Sequence, residues 1–168
     1  MADYRNSNWN TAVLTRYGKK LGKDYYWKIY VSENTIRVII HSVLVIQVGL
    51  DWWDKVVDPG IHRTSIKIKK SYLTQVPPRS PGGHDIYCTY LANLGRILFD
   101  NKGYFRPLLP DIERVIIALE KIKLPRNLVG HMNVLTSNDK RAITNFHRLS
   151  TSMVKKLEGL QNFQLQYP

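Results

Sequence analysis

The sequence predicts an all-α fold, a helical bundle of four to five helices. Three observations predict it. Apolar residues recur at helical spacing over long stretches, helix-start signals precede two of those stretches, and no stretch reads convincingly as part of a sheet. At 168 residues and 43% apolar composition the chain is the size of one domain and can bury a sizeable core. Such a composition excludes a disordered tail, a collagen-like repeat and a solenoid.

Residues 1–24 are polar and basic with scattered aromatics, and read as an N-terminal arm or short helix. The domain proper is expected over 25–160, with 161–168 a loose C-terminal tail. Its first helix runs over about 25–50, where Ile29, Ile36, Ile40, Val43 and Ile46 keep helical spacing and Gly49 with Trp52–Trp53 marks the end. Pro59 opens the next segment, with Ile61, Ser65, Ile68 and Tyr72 able to form one face. The Pro- and Gly-rich stretch 77–83 is a connecting loop. After it, Ile86, Tyr90, Leu94 and Ile97 again sit at helical spacing.

Pro110 with Asp111 and Glu113 begins a further helix, because proline suits the first turn and acids suit the helix dipole. Ile112, Val115, Ile116, Leu119 and Ile122 form its stripe, and Pro125 is expected to kink or break it. Thr136 and Asp139 have capping-box spacing before a last helix. Ile143, Phe146, Leu149, Met153 and Leu157 are its buried face.

Composition narrows the function classes. There are 25 Lys plus Arg against 13 Asp plus Glu, a formal net charge of +12. That excess favours a polyanionic partner: nucleic acid, a membrane surface or an acidic protein. Cys88 is the only cysteine, which removes intramolecular disulfides and multi-cysteine zinc cages. The N-terminus carries no apolar signal region and the most apolar stretch, 38–50, is short for a span, so a soluble, cytoplasmic protein is expected. P-loop, dinucleotide, HExxH and GxSxG patterns do not occur. The histidines at 41, 62, 84, 131 and 147 are dispersed, so neither a metal site nor a cofactor is expected. His41 reads as a satisfied core histidine, His84 as loop, His147 as half-buried, Trp52–Trp53 as a core cluster and Cys88 as a small buried hydrophobe.

One segment, Leu124-Pro125-Arg126-Asn127-Leu128-Val129-Gly130-His131, stands out. An arginine fork can hold a phosphate through two hydrogen bonds, a histidine can take or give a proton near neutral pH, and Asn127 shares a helical face with His131. These are the groups that RNA cleavage without a metal requires. The basic run Arg63, Lys67, Lys69, Lys70 and Arg79, free of acids between Asp58 and Asp85, could track a nucleic-acid backbone or form a solvated face.

The Arg126-Asn127-x3-His131 segment resembles the Arg-Asn-x3-His signature of the HEPN superfamily, small all-helical domains that are often ribonucleases. Glu33-Asn34-Thr35-Ile36-Arg37 resembles the Glu-Asn-x-x-Arg pattern on the first long helix of one HEPN subgroup, also found attached to a eukaryotic PIN-type RNA-surveillance endonuclease. Gly49-Leu50-Asp51-Trp52-Trp53 resembles the motif that closes that helix. The stretch 90–97 resembles the helix before the catalytic pair, and 135–139 resembles the Leu-Thr-x-x-Asp that follows the histidine.

The resemblance implies a HEPN-like bundle that forms a homodimer with a composite cleft and cleaves RNA to 2′,3′-cyclic phosphate and 5′-hydroxyl ends. It implies Arg126 on the phosphate, His131 as general acid/base, Asn127 positioning the pair, and Glu33 and Arg37 lining or bracing the site. A toxin–antitoxin or antiviral setting, with an antitoxin or defence-complex partner, also follows from it. Two other readings stand beside it. One is a catalytically silent HEPN module that binds RNA or a partner protein, should Pro125 spoil the site. The other is a basic helical DNA-binding domain.

Overall fold

The computed structural model describes residues 4–6 and 8–168, and among these the regular secondary structure is entirely helical. Helix α1 (Thr11–Leu21) starts where the Asn10 side chain accepts the N–H groups of Ala12 and Val13. It does not stop before α2 (Trp27–Val48). A π turn, Gly22–Tyr26, joins the two into one helix over Thr11–Val48, 38 residues long. The boundary expected at residue 24 therefore falls inside a continuous helix. That helix is long and apolar enough to cross a membrane by length and composition. The residues that make it apolar, among them Ile36, Ile39, Ile40, Val43 and Leu44, are fully buried in the bundle. Gly49, at φ +114°, ends α2 with a backbone that L side chains rarely adopt.

Helix α3 (Trp52–Val56) tucks both tryptophans into the core. Helix α4 (Pro59–Leu73) has Pro at its first position and the Asp58 side chain on the Gly60 N–H. It buries Ile61 and Ser65, but Tyr72 is exposed, so the expected apolar face covers only the first half of the helix. A 3₁₀ turn, Asp85–Cys88, precedes α5 (Leu91–Asp100) and the short α6 (Lys102–Phe105). The spacing of Ile86, Tyr90, Leu94 and Ile97 does not belong to one helix. Thr89 and Tyr90 are extended, the Asn93 side chain takes the Tyr90 N–H, and Tyr90 points to solvent.

Helix α7 (Ile112–Gly130) continues through Pro125, so of the expected kink or break the break does not occur. Proline deletes one helical hydrogen bond at a cost of about 3 kcal/mol. Ile122, Pro125 and Val129 are all buried, so core packing on both sides of the proline holds the helix on its path. Helix α8 (Ser137–Glu158) carries the capping box: Thr136 and Asp139 exchange side-chain to backbone hydrogen bonds. The core is built from four helices in a ring, α2 against α8, α8 against α7, α7 against α5 and α5 against α2. The C-terminal segment is not loose. Gln166 N–H donates to the buried Ser42 hydroxyl at 2.8 Å, that hydroxyl donates back to the Gln166 carbonyl, and Phe163 and Leu165 pack on the core.

Candidate active site

Two of the ring helices bring the singled-out charged residues together. On α2, Glu33 and Arg37 lie one turn apart and form an ion pair at 2.7 Å, with both side chains about nine-tenths buried. Arg37 spends its remaining donors on fixed acceptors: Nε on the Ile86 carbonyl at 3.4 Å, Nη2 on the Thr89 carbonyl at 3.2 Å, and Nη1 on the Asn34 side chain at 3.5 Å. It ties α2 to the turn before α5, and its charge is spoken for. Buried charges persist only when paired and hydrogen-bonded in this way.

The other carboxylate oxygen of Glu33 faces α7. It accepts from Arg126 Nε at 3.4 Å, a link between residues 93 positions apart. Arg126 keeps 39% of its side chain exposed, and among the described residues neither terminal nitrogen has a hydrogen-bond partner. The end of that side chain extends along α7: Nη1 lies 4.0 Å from where a Cβ on Gly130 would stand. An anchored Nε and two free terminal nitrogens suit bidentate contact with a phosphate.

His131 is the C-cap of α7 and is exposed. The helix closes there in a Schellman arrangement, with Met132 N–H on the Val129 carbonyl at 3.0 Å and Asn133 N–H on the Leu128 carbonyl at 2.7 Å. Met132 takes the left-handed position, φ 56°, that glycine usually fills. Asn127, one turn before His131, is exposed as well and receives the His131 N–H on its carbonyl at 2.9 Å. Among the described residues neither His131 ring nitrogen nor the Asn127 side chain has a hydrogen-bond partner. Arg126, Asn127 and His131 thus stand on the last turn and cap of one helix, braced from α2 by Glu33 and, behind it, Arg37.

The loop after His131 is held from outside the ring. Leu135 N–H donates to the Tyr17 hydroxyl of α1 at 3.1 Å, and Tyr17 and Leu21 are buried there.

The expected nucleic-acid run divides. Arg63, Lys67 and Lys70 are spaced along one exposed face of α4, and Arg79 is exposed in the loop beyond. Lys69 faces the other way and is bound to Asp85 at 2.6 Å.

No family model, curated protein or solved structure matches this chain. Among the described residues no group of three or more His, Cys, Asp or Glu could hold a metal ion.

Sequence spacing did not single out two tyrosines beside the cluster. Tyr30 lies one turn before Glu33 on α2, with its carbonyl accepting from the Asn34 side chain. Tyr90 directly follows Thr89, whose carbonyl holds Arg37. They are 62% and 59% exposed. Tyr30 could have been found as an aromatic on the face shared with Glu33 and Asn34. Tyr90 could not, because its register with Leu94 suggested a buried stripe.

A separate ring cluster lies where α2 meets α3. Trp52 Nε1–H donates to His41 Nδ1 at 3.2 Å, and the His84 ring stacks on Trp52 at 5.1 Å. The Ile86 N–H donates to His84 Nδ1, so the histidine read as loop is a packed helix cap. Burial, with His41 beside it, pushes His84 down to about 4. His41 is lowered by burial too.

Proposed function

We propose that this chain is a HEPN-type endoribonuclease that cleaves RNA without a metal, working as a homodimer. The observation that carries the reading is the Glu33 bridge. It joins the α2 pattern Glu33…Arg37 to the α7 pattern Arg126…His131, two motifs far apart in sequence, at one place. The exposed turn so formed offers a half-free guanidinium and a free imidazole.

The chemistry is an internal transesterification. The 2′-hydroxyl oxygen attacks the adjacent phosphorus as His131 takes its proton, and the bond from phosphorus to the 5′-oxygen breaks. The departing 5′-oxygen receives a proton, from His131 of a second copy across the cleft. Arg126 holds the phosphate and meets the charge that builds on its oxygens, where oriented donors contribute most. Glu33 fixes the Arg126 side chain by its Nε, and Arg37 holds Glu33 in place. Tyr30 and Tyr90 suit the flanking bases, since aromatic faces stack on unpaired bases at about 1–3 kcal/mol each. Cytoplasmic RNA, in a defence or toxin–antitoxin setting, is the matching substrate pool. The silent-module alternative rests on Pro125, which could kink the helix just before Arg126 although α7 continues past it.

The test is cleavage of an RNA oligonucleotide in EDTA, with end-group analysis and light scattering. Wild type is expected to be a dimer and to leave cyclic phosphate ends. His131→Ala is expected to bind RNA and not cut it, and Arg126→Lys to lose most activity, since an ammonium cannot reproduce the fork. Undiminished cleavage by His131→Ala sinks the assignment. RNA binding without cleavage by wild type returns the chain to the binding-module reading.

A further inference from the structure

A groove runs between α7 and α8 on the part of α7 away from His131. Its cavity is about 620 Å³. Ile117, Ala118, Ala142 and Leu149 make an apolar floor, with Ile117 53% exposed to water. Arg114 and Lys121 stand on one side and Arg148 and Lys156 on the other. Asp111 is the one acid in the lining, and Lys156 already binds it at 2.9 Å. Among the described residues Arg114, Lys121 and Arg148 have no ion-pair partner.

We infer that this groove is a docking site for an acidic amphipathic helix of another protein. Length, floor and rims each point to it. From Ala142 to Lys156 the α8 wall is about 21 Å long at about 1.5 Å per residue, the length of a four-turn helix. An apolar floor takes the apolar stripe of such a helix, read as anchors at i, i+4 and i+7. Cations on both rims fit carboxylates on both flanks of that stripe and repel a basic one. A second copy docked face to face on this groove would set Arg114, Lys121, Arg148 and Lys156 against the same four cations. RNA would satisfy the rims, but its phosphates have no use for the exposed Ile117 of the lining. The inference does not depend on the ribonuclease reading, because none of these residues belongs to the Arg126–His131 turn.

The test uses the full chain and a designed fourteen-residue helical peptide. It carries leucines on one face and glutamates flanking them. A second peptide has the same composition in scrambled order, and a short single-stranded RNA is the third probe. Binding is read by fluorescence anisotropy, and circular dichroism checks that each variant is folded. The ordered peptide is expected to saturate in the micromolar range and the scrambled one to bind at least about tenfold more weakly, a difference of about 1.4 kcal/mol. Ile117→Asp and the pair Arg114→Glu with Arg148→Glu are each expected to weaken the ordered peptide by at least that factor. Equal binding of the two peptides, no binding of either, or indifference to Ile117→Asp overturns the proposal. RNA binding that is lost with the Arg114/Arg148 pair while neither peptide binds would mark the groove as a nucleic-acid surface instead.

Discussion

Replacing Glu33 by glutamine separates its two partners. Arg37 is buried and fixed by carbonyls, so loss of the Glu33 charge leaves a buried cation uncompensated. Breaking such a pair from one side costs about 3 kcal/mol, which urea unfolding of Glu33→Gln would read. Arg126→Ala is the contrasting change. Its bond to Glu33 is long and its side chain well exposed, so stability is expected to move by less than about 1 kcal/mol while cleavage is lost. Similar stability losses in both variants would make Arg126 a structural residue. His84 gives a pH prediction. Its value in the fold is about 4, against about 6.5 in an unfolded chain. Above pH 6.5 both states are neutral and stability is flat. As pH falls from there toward 4 the unfolded chain takes up the proton first, and stability drops, by roughly 1 kcal/mol at pH 5 for this partly exposed ring. Melting at pH 7.5 and pH 5 should show the loss. His84→Asn, which keeps a side-chain acceptor for the Ile86 N–H, should shrink it.

The helices were legible where burial repeats at their own period. The stripes of α2, apart from its exposed Ile46, and of α8, apart from its half-buried Leu149, could be read directly, as could the Thr136–Asp139 box and the end of α2 at Gly49. What escaped were places where a long-range contact overrides a local rule. Pro125 should break a helix in isolation, but Ile122 and Val129 bury the turns on either side of it. The last residues carry no pattern, since a backbone amide and carbonyl bind Ser42 whatever their side chains. Helix α1 looked like a basic arm because only Tyr17 and Leu21 are buried on it. Besides the packing of Leu21 in the core, the Tyr17 hydroxyl ties it to the loop after His131. Tyr17→Phe leaves the buried Leu135 N–H without that acceptor and is expected to cost about 1 kcal/mol. It should also slow cleavage, because the loop it releases begins at His131. Unchanged turnover in a destabilised Tyr17→Phe would separate the brace from the site.

Across the whole molecule the net charge of +12 favours a polyanionic partner without saying where it would lie. Within the basic run, sequence spacing could not tell Lys67 from Lys69, whereas the fold sends one to solvent and the other to Asp85. Lys67→Ala is therefore expected to lower the salt dependence of RNA binding by about one ion, and Lys69→Ala to leave it nearly unchanged. Equal effects would show that the Asp85 pair opens on binding. The site itself was half legible. Its motif residues could be named, but the meeting of Arg126 with Glu33 depends on α8 and α5 setting α2 across the ring from α7. The same long-range logic gives the π turn at Gly22–Tyr26 a meaning for chain length. A π turn holds one residue more than an α turn, so deleting Lys23 alone would let the segment close as α-helix with α1 nearly in phase and the Tyr17 hydroxyl still within reach of Leu135. Among those five positions the side chains that carry weight are Tyr25, packed against the core, and Asp24, paired with Lys20, so the turn tolerates losing a residue better than losing either of these.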